Sequence, residues 1–166
     1  MPATKRTTGL GSGIYFWEAD PWRAWEWADG KVSRGDFEQP FVVGAAIDLG
    51  NCLDFLSRES LVLLEKSYHA FAAIYEHFGI AERMPVNQRG GKLDEGYLKR
   101  YLDCAVIRYS HLVNELAGDE RFDTVRGLFT EGGQAFPGSG FKKNAHVQIA
   151  VRNADCIKGL FRMERP

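Results

Sequence analysis

Three observations predict an α+β chain. Short apolar runs rich in aromatic and branched residues stand at both ends of the sequence and read as strands. A long middle stretch carries apolar residues at three- and four-residue spacing, and Gly or Pro punctuates the junctions. At 166 residues the chain fits one domain, long enough to bury a core without a metal or a disulfide.

The elements follow in order. After the glycine-rich MPATKRTTGLGSG, the run GIYFW (13–17) reads as a strand. Asp20 and Pro21 form an N-cap and first-turn pair, Trp22, Trp25 and Ala28 repeat at helical spacing, and Gly30 is expected to stop that helix. PFVVGAAIDLG (40–50) is the clearest buried strand, an apolar run bounded by Pro and Gly. Leu61, Leu64, Tyr68, Phe71, Ile74, Tyr75 and Phe78 then mark one face of an amphipathic helix ending at Gly79. IAERMPVNQRGGK reads as a loop, and the segment from Asp94 to Gly118 as a second helix capped by Asp94. Together these helices predict a helical insert over about 57–118. Strands are expected at 123–132, at AHVQIAVRN, where Val147, Ile149 and Val151 alternate, and at IKGLF, with GQAFPGSGFKKN as a loop.

Charge narrows the function classes. With 21 basic and 22 acidic residues, nothing electrostatic demands a nucleic-acid or membrane partner. No apolar run is long enough to span a bilayer and no signal peptide is legible, so the expected location is the cytoplasm. Cys52, Cys104 and Cys156 are odd in number and form no CxxC pair; they read as thiols of a reducing compartment rather than a disulfide or zinc framework. No His, Cys or carboxylate cluster has metal spacing, so no metal is implied.

The chemistry-bearing pattern begins at GSGIYF, where glycines beside a strand let a backbone or ligand approach closely and an aromatic hydroxyl follows. The block GLGSGIYFWEADPWRAWEWA (9–28) resembles the second motif of the diphtheria-toxin-like ADP-ribosyltransferases, the group containing the poly(ADP-ribose) polymerases. The resemblance implies a split β-sheet core and NAD as substrate, with Gly13 and Tyr15 at the cofactor and Tyr15 stacked on the nicotinamide ring. A second aromatic closing the other side of that ring falls on Trp27, with Trp25 as the alternative.

QIAVRNADCI (148–157) is similar to the family's catalytic strand, and Gln148 occupies the position of its catalytic Glu. In the family that carboxylate holds a ribose hydroxyl and offsets the positive charge of an oxocarbenium-like state. An amide can still hydrogen-bond the hydroxyl but brings no charge, and losing one such electrostatic partner typically costs about 3–4 kcal/mol in the transition state. The expectation is therefore at most single transfer or slow NAD hydrolysis. Gly132 to Asn144 matches the family's substrate loop and carries Phe136. Glu131 is the carboxylate nearest in sequence to replace the missing Glu. Arg126 is a candidate for gripping NAD phosphates, or else a satisfied structural arginine. His146, two residues before Gln148, shares its strand face.

The family's first motif, a His-Gly strand, is missing: only about a dozen residues precede Tyr15 and none is His. Either the reading frame starts too late or the chain is a shortened, binding-only descendant. The resemblance thus implies an NAD-dependent mono-ADP-ribosyltransferase-like bacterial toxin or phage-defence effector with a protein or nucleic-acid acceptor and a cognate antitoxin. Lys142, Lys143 and Arg152 form the candidate basic patch for a nucleic acid. The alternative is a catalytically inactive binding module of the same fold. A 2′-phosphotransferase is a third reading, and it lacks the expected cluster of arginines and histidines.

Overall fold

The computed structural model describes residues 9–91 and 94–165 of the chain; residues 1–8, 92–93 and 166 lie outside the described residues. Strand β1 (Ile14–Trp17) and helix α1 (Pro21–Ser33) open it. Asp20 caps α1 by accepting the Arg23 N–H at 3.0 Å, as the Asp-Pro pair predicts. The helix runs past Gly30, however, because the turn that ends it needs a left-handed residue and the next one is Gly35, at φ +75°. There the Gly35 and Asp36 N–H groups donate to the Val32 and Lys31 carbonyls, both at 2.9 Å, and a Lys31–Asp36 ion pair closes the turn.

Next come β2 (Val43–Ile47) and a short β3 (Cys52–Asp54), which the periodicity does not predict. Helix α2 (Arg58–His77) follows, its Ser57 cap accepting the Ser60 N–H. The segment from 88 to 99 differs from expectation. It is a hairpin, β4 (Gln88–Gly91) against β5 (Asp94–Lys99), where a loop and the start of a helix were predicted. Helix α3 begins only at Tyr101 and runs to Ala117, so Asp94 cannot cap it. Gly96 lowers the helical propensity of the intervening turn. The cap comes from outside: Asn87 Oδ1 accepts the Leu102 and Asp103 N–H groups at 2.9 and 3.3 Å, while Asn87 Nδ2 donates to Asp103 at 2.6 Å. The insert is thus two helices with a hairpin between them. Strands β6 (Thr124–Phe129), β7 (His146–Val151) and β8 (Ile157–Arg162) complete the α+β arrangement.

The strands form two main sheets. One has the order β1-β7-β6-β3, antiparallel except for the parallel β3–β6 edge, and the other pairs β2 with β8. The four-stranded sheet is the middle layer. On one face Leu53, Val125, Phe129 and Ala150 pack with Leu10 and with Ile107 of α3. On the other, Ile149 and Val151 meet Ile47, Leu49 and Ile157 on the side of the smaller sheet. Fully burying a side chain such as Leu53 or Ile107 stabilises the fold by roughly 1.5–3 kcal/mol each. Among the described residues no helix is long and apolar enough to cross a membrane.

Candidate functional site

Strand alternation decides which predicted residues meet. Register places Tyr15 opposite Ala150, Trp17 opposite Gln148, and Gln148 opposite Gly127 on its other side. Paired residues share a face, so Tyr15, Trp17, His146 and Gln148 lie on the face that carries Val125 and Phe129. Arg126 sits one residue from Gly127 and therefore projects to the opposite face. There its guanidinium takes Glu18 in a two-point pair at 2.6 and 2.8 Å and Asp54 at 3.1 Å. Those hydrogen bonds hold the guanidinium protonated well above its ordinary range. Three of its N–H groups are committed within the fold, away from Gln148.

Each remaining candidate has a definite setting. Tyr15 packs against the core, and its hydroxyl donates to the Gly11 carbonyl at 2.8 Å and accepts the Leu10 N–H at 3.1 Å. Gly13 serves the sheet: a Cβ there would lie 2.8 Å from the Val151 carbonyl oxygen, so only glycine lets β1 approach β7 this closely. The Trp27 ring stands 5.9 Å from that of Trp17, tilted by 55°. Trp25 is drawn elsewhere, donating to the Glu164 carbonyl with Arg165 over its ring, and Trp22 is exposed. Glu131 pairs with Arg23 of α1 at 3.2 Å and is mostly buried. Phe136 and Phe141 stand exposed on the loop before β7. A Gln134–Lys142 bridge narrows the base of that loop.

The basic patch is not assembled as the sequence suggests. Lys142 and Lys143 precede β7 and Arg152 follows it, so a six-residue strand, roughly 20 Å, separates them. Arg152 donates inward instead, to the Phe122 carbonyl at 2.8 Å and to His111 Nδ1 at 3.2 Å.

Gln148 has a close polar partner. Its Nε2 lies 2.9 Å from Nε2 of His146, whose Nδ1 is 2.8 Å from the Asn144 carbonyl oxygen. His146 is buried and lies parallel to Phe129, with ring centroids 5.6 Å apart, and the Arg100 guanidinium stands 4.1 Å from the Phe129 centroid.

Two features escaped the sequence reading. Trp17 stands between Gln148 and Trp27, and its indole N–H is buried with no acceptor among the described residues. The signal was present, since Tyr15 and Trp17 are two apart on a strand and must share a face. The other feature is a cavity of about 610 Å³ with walls that include Phe16, Trp17, Trp27, Phe41 and Phe161. Four consecutive residues of the first strand region, Tyr15 to Glu18, border it, as do Val42 to Ala45, so it runs along strand edges rather than over one face. It therefore occupies the gap between the two sheets, with α1 as a third wall. The thiols of Cys52 and Cys156 are pushed up by burial and so stay protonated, which makes neither a nucleophile. No family model, no curated protein and no solved structure matches this chain.

Proposed function

We propose that the chain is an NAD-using, mono-ADP-ribosyltransferase-like protein with a split-sheet core. The observation that carries this reading is the group Trp27, Trp17 and Gln148: Trp17 shares a sheet face with the Gln148 amide and stands against the Trp27 ring of α1, and its buried indole N–H has no acceptor among the described residues. An aromatic face suits the flat, cationic nicotinamide ring of NAD, and the amide suits a ribose hydroxyl. In the reaction the bond between nicotinamide nitrogen and ribose C1′ breaks, and its electron pair leaves with neutral nicotinamide. The oxocarbenium-like carbon is then captured by an oxygen or nitrogen of the acceptor, which gives up a proton. Gln148 would hold the sugar in place without offsetting the developing charge, so turnover is slow.

The acceptor would approach over the loop of Phe136 and Phe141, as a protein or nucleic-acid surface, and a toxin or defence role with a cognate antitoxin fits such an activity. A second reading, a catalytically inactive binding module, is favoured by the engagement of the Tyr15 hydroxyl with Gly11 and Leu10 and by an amide at position 148. Release of nicotinamide from NAD by the purified chain tests the first reading, with Tyr15→Ala, Trp27→Ala and Gln148→Ala as controls. Release lost in all three variants supports a transferase cleft. Gln148→Glu is expected to raise the rate at least tenfold, since a restored charge offsets the transition state. Silence in both the native chain and Gln148→Glu leaves the binding module.

A further inference from the structure

The structure assigns His146 a positioning role: it fixes which end of the Gln148 amide faces a ligand. The consequence for catalysis rests on the NAD reading above, but the orientation itself does not. A carboxylate has two accepting oxygens, whereas glutamine has one accepting and one donating end, and only a fixed orientation makes it a dependable acceptor.

The hydrogen-bond chain fixes that orientation. The Asn144 carbonyl, 2.8 Å from His146 Nδ1, can only accept, so Nδ1 carries the proton. A neutral ring then has its lone pair on Nε2, and that atom accepts from Gln148 Nε2 at 2.9 Å. The carbonyl Oε1 is the end left to face the ligand, where it presents an acceptor as a carboxylate oxygen would. The relay is rigidly mounted. The Asn144 N–H donates to the Glu131 carbonyl at 3.1 Å, and the imidazole is buried in a parallel stack on Phe129. Protonating the ring would reverse the relay, because an Nε2–H would demand Oε1 and turn the amide nitrogen outward. Charged groups around this unit include Arg100, over Phe129, Glu131 at the foot of the loop, itself paired with Arg23, and Lys143, next to Asn144 in the chain.

The orientation is read first without any ligand, by nuclear magnetic resonance on the full isotope-labelled chain near neutral pH. An N–H···N bond transmits a coupling between the Gln148 side-chain nitrogen and His146 Nε2, and it is expected in the native chain and absent in His146→Phe. A proton found on His146 Nε2, or no such coupling in the native chain, overturns the assignment. The functional arm is calorimetric titration with NAD. His146→Phe keeps the stack and is expected to weaken binding about tenfold, the effect of losing one well-oriented hydrogen bond. His146→Gln, which keeps an acceptor, restores most of that loss. In a Gln148→Glu background His146→Phe should change affinity less than about twofold, since a carboxylate has no donating end. Undiminished NAD binding by His146→Phe overturns the positioning role. The coupling present with no NAD bound by any variant upholds the orientation and removes NAD as its ligand.

Discussion

His111 and Trp17 teach opposite lessons at the scale of single residues. His111 is buried beside Arg152, and burial first, then the arginine charge, pull its pKa from 6.5 to about 4. The unfolded chain therefore takes up this proton before the folded one does. The stability it confers is fully present above pH 6.5 and is lost as pH falls through about 4, a span worth roughly 3 kcal/mol. Urea denaturation across that window should show the loss in the native chain. It should be nearly flat in His111→Gln, which keeps an acceptor for Arg152; an unchanged slope would remove His111 as the cause. Trp17, by contrast, is a residue whose importance strand alternation alone could have revealed. Helical spacing singled out Trp22 and Trp25 and the resemblance singled out Trp27, while Trp17, which pairs across the strands with Gln148 and stands against the Trp27 ring, was passed over. Arg126 is the satisfied structural arginine that the sequence offered as one of two readings, but its partners could not be named beforehand, because Glu18 and Asp54 are remote in the chain and meet it only through the fold.

Among the elements, those with strong periodicity and local caps were legible. Helix α1 starts where Asp20 predicts, α2 covers most of the periodic run from Leu61 to Phe78, and β6, β7 and β8 fall on their apolar runs. Elements fixed by distant partners were not legible. β3 is three residues long and exists because β6 pairs with it, and α3 begins where Asn87, on the far side of a hairpin, supplies its cap. That nonlocal cap makes a specific expectation. Asn87→Ala should destabilise the protein by about 1–2 kcal/mol, as loss of an N-cap side chain does, with the increase in hydrogen exchange centred on the first turn of α3. Exchange unchanged there would show that Asn87 is not the cap that matters.

For the molecule as a whole, two sheets and a helix border a gap, and the three cysteines are free, so no disulfide ties these walls together. A ligand that binds the folded form alone must then register in global stability. NAD at one hundred times its dissociation constant would add about 2.7 kcal/mol. In a chain of this size each kcal/mol is worth about 2–4 °C, so the thermal midpoint should rise by roughly 5–10 °C. A midpoint that does not move at millimolar NAD would exclude tight binding and with it the proposed substrate.

The position of β7 has a consequence in time. It is the inner strand whose register matches Ile14–Trp17 on one side and Thr124–Phe129 on the other, so Trp17 meets Gln148 only after the chain between them exists. A growing chain shorter than that lacks the strand that pairs with β1, and with it the Trp17–Gln148 pairing. Under the function proposed above, any activity that needs this pairing arises only once translation has passed β7, and a binder that captures the edge of β1 to which β7 pairs is expected to block it.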